Sequence, residues 1–159
     1  MNINYALRKD LDSILAIETE SHKVIDEWLD VETVDDYCWD TEEKFIEFAN
    51  SDGDRRQLYA VFDEDGGPAT GFVAFLVFHE TKSVRIEKIE SLRDNQEERR
   101  LEYMIRWLLF KANGYAMSHL TEETREPIIK VLREQGFEAK LRRGAFNKTG
   151  RDGFLFNKE

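Results

Sequence analysis

Eleven consecutive residues, Ala69 to His79 (ATGFVAFLVFH), are apolar at odd and even positions alike. A strand with that pattern buries both of its faces, so it belongs in the middle of a sheet covered on both sides. A chain organised round such a strand needs helices above and below, which is the layered plan of an α/β domain. The flanking residues agree. Gln57 to Asp63 (QLYAVFD) reads as a second strand, and Glu64-Asp65-Gly66-Gly67-Pro68 as the hairpin turn joining the two. Thr81-Lys82-Ser83 then turns the chain into a third strand beginning at Val84.

That third strand leads into the most informative stretch, Val84 to Ala112 (VRIEKIESLRDNQEERRLEYMIRWLLFKA). Val84 and Ile86 share a face, but the next apolar residue is Ile89, one place out of phase. A β-bulge near Glu87-Lys88 explains the slip, and bulges are frequent beside active sites; a short, partly exposed strand with a polar end explains it equally. Leu101, Met104, Ile105, Leu108, Leu109 and Ala112 then mark one face of a long helix, stopped by Gly114. The turn before it contains no glycine. Asp94 or Asn95 caps the helix, and Gln96 to Glu98 form an acidic first turn. Helix N-termini present free N–H groups, so strand-to-helix turns of this kind are common places for a phosphate.

The rest of the chain alternates similarly. Asn2 to Leu7 is a strand. Asp10 or Asp12 caps a helix carrying Leu11, Ile14, Leu15 and Ile17 and running to about His22. Lys23 to Tyr37 is a second short helix or an irregular segment. Asp40-Thr41-Glu42-Glu43 opens a helix with Phe45, Ile46, Phe48 and Ala49 on its face. Tyr115 to Leu120 is a weaker strand. Arg125 to Gln135 is a helix with Pro127 in its first turn and Gly136 at its end. Phe137 to Arg142 and Gly153 to Asn157 form a closing hairpin. The order is β-α-α-β-β-β-α-β-α-β-β, one domain over residues 1–159 without repeats or linkers.

The chain's 159 residues, 41% of them hydrophobic, suffice for one core. A net charge of −10 argues against nucleic acid or an anionic membrane as partner and leaves room for a cationic amine. Cys38 is the only cysteine, which excludes an internal disulfide and a cysteine-built zinc site. His22, His79 and His119 show no metal-ligand spacing, so no metal is expected. No apolar run reaches the ~18 residues of a membrane span. The first residues lack the apolar core of a signal peptide, and a cytoplasmic protein is expected.

Several segments resemble the GNAT N-acetyltransferases, and among them the ribosomal-protein alanine N-acetyltransferases. LRKDLDSILAIETES resembles the family's first strand-turn-helix. Trp39-Asp40-Thr41-Glu42 with Phe45 and Phe48 resembles its W-S/T-x-x-x-F segment. QLYAVFDEDGGPATGFVAF resembles its second and third strands, and IIKVLREQGFEAKLRR resembles its A-x-x-x-Y-x-x-x-G-F-x-x-x-x-R tail. The resemblance covers nearly the whole chain in the right order. It implies an α/β fold of the GNAT type, with a mixed central sheet of about six or seven strands flanked by helices.

In that family the acyl-CoA pyrophosphate lies on the N–H groups of a Q/R-x-x-G-x-G/A motif at the start of the long helix. Laid on this chain without a gap from Ile86, the motif falls on Gln96-Glu97-Glu98-Arg99-Arg100-Leu101. Gln96 fits; Arg99 and Leu101 replace glycines and place side chains where phosphates lie close, while Arg99 or Arg100 offers charge instead. The resemblance implies acetyl-CoA as cofactor, held by Ile89, Ser91, Gln96, Arg99, Arg100, Leu101 and Arg125, the last at the family's asparagine position. The family's general-acid tyrosine falls on Leu132, and a glutamate base of its fifth strand near Leu120; neither can move a proton. The candidate catalysts are therefore Glu87, Glu90 and Tyr103, followed by Tyr115 and His119.

Two functions follow. One is an acyl-CoA-dependent N-acyltransferase in which an amine, on a small molecule or a protein, attacks the thioester directly. The other is a GNAT-fold protein without transferase activity, a binding or regulatory module acting through the acidic stretch Asp26 to Glu47 or the basic hairpin of Arg142, Arg143, Lys148 and Arg151.

Overall fold

The Asp63–Gly71 turn shows how local chemistry sets the sheet. Gly66 adopts φ +75°, open to glycine without a Cβ clash, and its N–H donates to Asp63 Oδ1 at 2.7 Å. Thr70 N–H then donates to the Phe62 carbonyl at 2.8 Å, and the two strands run back antiparallel. The computed structural model describes residues 2–5, 10, 12–14, 16–17, 55–64, 66–78, 80–122, 125–146 and 150–159. The expectations for Lys23 to Tyr37 and for the helix opened at Asp40 lie outside the described residues.

The strands are β1 (Asn2–Tyr5), β2 (Arg55–Asp63), β3 (Gly71–Phe78), β4 (Ser83–Ser91), β5 (Ala116–Glu122), β6 (Glu138–Phe146) and β7 (Arg151–Lys158). Helix α1 (Glu97–Lys111) connects β4 to β5, and α2 (Glu126–Glu134) follows β5. Together the strands form one seven-stranded sheet in the order β1-β2-β3-β4-β5-β7-β6. The β4–β5 pair is parallel and the other pairs are antiparallel. A parallel pair requires a crossover, and α1 supplies it. The sheet is thus mixed, as the sequence led us to expect.

Strand β3 sits at the centre of the β1–β5 half, with Gly71 through Leu76 all buried. On one face Phe72, Ala74 and Leu76 pack with Val61 and with Ile14 and Ile17 of the helical residues 12–14 and 16–17. On the other, Val73 and Phe75 share a core with Leu101, Met104, Ile105 and Leu108 of α1. These four recur at i, i+3, i+4 and i+7, the spacing of one buried helix stripe. Ile128, Ile129, Val131 and Leu132 bring α2 onto the same core.

The hairpin β6–β7 is longer than hydrophobic pattern alone suggested. Beyond the expected Arg142 and Gly153, its strands take in Arg143 and Asp152. Because β6 is the edge of the sheet, its outward side chains stay in water, and a polar residue there costs nothing. Strand β5 runs two residues past Leu120, and both Thr121 and Glu122 are buried. Among the described residues no helix is long and apolar enough to cross a membrane.

Candidate functional site

The phase slip in β4 is a bulge. Ala74 of β3 pairs with Lys88 and its neighbour Phe75 pairs with Ile86, so Glu87 is the extra residue. The insertion returns Ile89 to the core face used by Val84 and Ile86. A bulged strand bends, and here the bend falls where β4 leaves β5. Their parallel ladder has its last rung at Ile86↔His119. Beyond it β4 continues to Ser91 and β5 to Glu122, and among the described residues the ladder does not extend between them. The two strands open as a fork whose apex is Ile86 and His119.

At the apex the His119 ring closes a hydrogen bond with the Ile86 carbonyl, Nδ1 to O 2.8 Å. A carbonyl only accepts, so Nδ1 carries the proton. Burial pushes the His119 pKa down to about 4, although the Ile86 hydrogen bond opposes the shift. At neutral pH the ring is therefore uncharged, with its Nε2 lone pair left as an acceptor.

Between the tips of the fork stands an ion pair. Arg125, just ahead of α2, donates to both carboxylate oxygens of Glu90 on β4, at 2.8 and 3.1 Å. Both side chains are largely buried, 5% exposed for Glu90 and 14% for Arg125. Arg93 lies 3.6 Å from Glu90 and donates to Glu97 at 2.9 Å. Burial raises the Glu90 pKa, but the charge and hydrogen bonds of Arg125, with the charges of Lys88 and Arg93, outweigh it and hold the carboxyl at about 2. Burial likewise lowers the Arg125 pKa, and the charge and hydrogen bonds of Glu90 turn the net shift upward. Glu97 is shifted upward, chiefly by burial.

The strand-to-helix turn is organised by Asp94. Its Oδ1 accepts from the Gln96 N–H and from Arg100 Nη1, each at 2.8 Å, and its carbonyl accepts from the Glu97 N–H at 3.3 Å. The sequence offered Asp94 or Asn95 as the cap, but the helix is capped at Gln96 without a side-chain bond; Asp94 instead closes the turn just ahead of it. Arg100 folds back beneath the turn, buried, with Nη1 also 3.4 Å from Ser91 Oγ and 3.5 Å from the Leu92 carbonyl. It is a strut inside the turn. Arg99 is half exposed, its guanidinium 3.5 Å from Glu64. The N–H groups of Glu98 and Arg99 have no acceptor among the described residues, so the positive end of α1 retains two free donors.

The structure thus gathers Glu87, Ile89, Glu90, Ser91 and Arg125 at the fork, and Gln96, Arg99 and Arg100 at the mouth of α1. Ser91 is buried and its hydroxyl donates to the Leu92 carbonyl at 3.1 Å. Glu87 is partly exposed and ion-paired with Arg85. Leu101 differs from the expectation that its side chain projects over a phosphate: it is fully buried in the core, because it begins the apolar stripe of α1. Tyr103 lies elsewhere, edge-on to Phe62 of β2 with ring centroids 5.4 Å apart; β2 is two strands from β4, on the side away from β5. Tyr115 precedes β5, at the end opposite the fork. Leu132 is core, and Leu120 is exposed past the apex. Sequence reasoning missed Arg93, Glu97, Lys88 and Glu122 as members of this charged neighbourhood. Only Arg93–Glu97 left a local trace, an opposite-charge pair at i,i+4.

The elements suit an acyl-CoA in outline. Beyond the last β4–β5 rung among the described residues, the edge of β4 can offer backbone donors and acceptors to an extended arm with amides of its own. Two free N–H groups and the Arg99 guanidinium face the solvent where an anion approaches α1.

No family model matches the chain, and no curated protein matches it by sequence. Its fold does match solved structures. The chain is similar to a ribosomal-protein-alanine N-acetyltransferase from Brucella melitensis, with TM-score 0.71 and 20% identity over 99% of each chain. It is similar to the ribosomal-protein-S18-alanine N-acetyltransferase from Escherichia coli, with TM-score 0.70 and 15% identity over 98% of this chain and 91% of that one. Mutant forms of a spermidine/spermine N-acetyltransferase from Vibrio cholerae give TM-score 0.70 and 16% identity over 99% and 93%. At such identities the likeness is one of fold: this chain has the GNAT acyl-CoA N-acyltransferase fold.

Proposed function

We propose that this chain is an N-acyltransferase that moves an acyl group from an acyl-CoA, acetyl-CoA first among them, to an amine. The observation that carries the reading is the bulged fork between β4 and β5, whose ladder ends at Ile86 and His119 among the described residues, beside the free N–H groups of α1. Where two strands part, an extended ligand can hydrogen-bond along the strand edge. The cofactor supplies the acyl group as a thioester. The β4 edge beyond Ile86, at Ile89 and Ser91, orients the arm. The Glu98 and Arg99 N–H groups and the Arg99 side chain hold the pyrophosphate, while Gln96 and Arg100 keep that turn in shape. Glu97 and Glu98 repel an anion at the same place, so affinity is modest.

The attacking amine must lose a proton. Glu90 is a poor acceptor, because its carboxyl is held at about 2 by Arg125. Glu87, at the bulge and partly exposed, is the better placed carboxylate and takes the proton in this reading. Leu132 offers no proton to the departing thiolate, so positioning of amine and thioester in the fork carries much of the rate. The neighbours are named for a ribosomal-protein alanine and for spermidine, both amines, and the net charge of −10 favours a cationic acceptor, small or protein-borne. A cytoplasmic location fits such acceptors.

The test is a thermal-shift and calorimetric titration of the whole chain with acetyl-CoA and CoA. A ligand at about 100 times its Kd stabilises the folded state by about 2.7 kcal/mol, a readily visible rise in melting temperature. Absence of any shift at millimolar CoA sinks the proposal.

A further inference from the structure

The fork that should admit a ligand is tied shut at its tips. Glu90 lies four residues beyond the last β4–β5 rung on β4, and Arg125 lies beyond the end of β5. Their two-pronged contact at 2.8 and 3.1 Å joins the diverging strands across the opening. No fold requirement puts charges there, since a buried ion pair is at best a weak source of stability and apolar residues of similar size often do as well. Arg93 backs the arrangement from the turn, bridging Glu90 and Glu97.

We propose that the Glu90–Arg125 pair is a latch: it holds the β4–β5 fork closed in the free protein and must part before an acyl-CoA arm lies along β4. This rests on the donor-binding reading above and adds that the resting chain is partly locked against its own cofactor. The latch lowers apparent affinity by the fraction of molecules in which it is open, so a latch open about one time in ten weakens binding about tenfold. Removing one partner alone strands the other as a buried charge. The informative variant therefore removes both.

The experiment compares wild type with the double variant Glu90→Ala/Arg125→Ala and with Arg125→Lys, which keeps the charge but loses the two-pronged geometry. Binding of CoA is measured by calorimetry, and backbone hydrogen exchange is followed in residues 87–91 and 120–122. The expected result is CoA binding at least about tenfold tighter in the double variant, with faster exchange at the fork, unchanged protection in β2 and β3, and Arg125→Lys in between. If wild type binds CoA and the double variant binds no tighter, the latch is refuted and the donor site stands. If the double variant binds and wild type does not, the latch is upheld as a complete lock, and the transferase proposed for the wild-type chain falls. If neither binds, latch and transferase fall together. Should the double variant fail to fold, Arg125→Lys decides by the same two readings: tighter CoA binding with a looser fork upholds the latch, and unchanged values refute it.

Discussion

Replacing Glu90 by Gln keeps the size of a buried side chain and removes its charge. In the folded protein the Glu90 carboxyl titrates at about 2 against 4.5 for the free group. At about 1.4 kcal/mol per pKa unit, that difference is worth about 3 kcal/mol of stability at neutral pH. A second route gives a similar size: breaking a buried pair by deleting one partner costs about 3–5 kcal/mol, because Arg125 is left charged and poorly solvated. The sign follows from the lowered pKa. Between 4.5 and 2 the unfolded chain binds more protons, so the contribution is complete above 4.5 and is lost as pH falls toward 2. Urea denaturation of wild type and Glu90→Gln across the acid range measures both quantities. The variant should lose about 3 kcal/mol at pH 7 and show a shallower pH dependence below 4.5. A loss under about 1 kcal/mol, or parallel curves for the two proteins in that range, refutes the assignment of Glu90 as a charge held by Arg125.

His119→Leu leaves the Ile86 carbonyl without its donor and should cost about 1–3 kcal/mol by urea denaturation, whereas His119→Asn, whose amide still donates, should recover much of it. Because the folded His119 pKa is lowered from 6.5 to about 4, the unfolded chain binds the extra proton in that interval; wild-type stability should fall as pH drops from 6.5 to 4, and His119→Asn should lose less over the same range. Glu87→Gln should lower turnover by about 10²–10⁴-fold while leaving the CoA dissociation constant unchanged, as read by steady-state kinetics beside calorimetry. Gly136→Ala places a Cβ on a backbone with φ +87° and within 2.9 Å of Lys158 Nζ, and should lower stability by about 1 kcal/mol or more in a thermal melt.

How far each feature was legible depends on the length of sequence it spans. The apolar stripe of α1 was readable because helix spacing is a local property, and it already contained the right answer for Leu101. Motif placement put that residue over a phosphate, while its place in the stripe put it in the core, where it lies. The bulge was half legible. Alternation has period two, so Ile89 out of phase signalled an irregularity, but only the pairing of Ala74 with Lys88 and of Phe75 with Ile86 distinguishes a bulge from a frayed strand. Tyr103 illustrates the opposite failure: a residue of suitable chemistry near the right helix turned out to face Phe62 on β2.

Among the described residues, the sequence by itself determined the strands, the two helices after β4 and β5, and the central place of β3, because strand alternation, helix stripes and glycine turns act over a few residues. It also settled what the turn before α1 lacks, since the absence of glycine between Ile86 and Leu101 is a fact of composition. Only the tertiary structure decided what fills the fork. His119 reaches Ile86 across 33 positions, and Arg125 reaches Glu90 across 35. Neither contact has a local signature, because each exists only once a crossover helix has laid β5 beside β4. Charge and proton chemistry at the site follow from that meeting: a carboxylate that would be an ordinary base in an isolated strand becomes a buried anion held by the guanidinium brought against it.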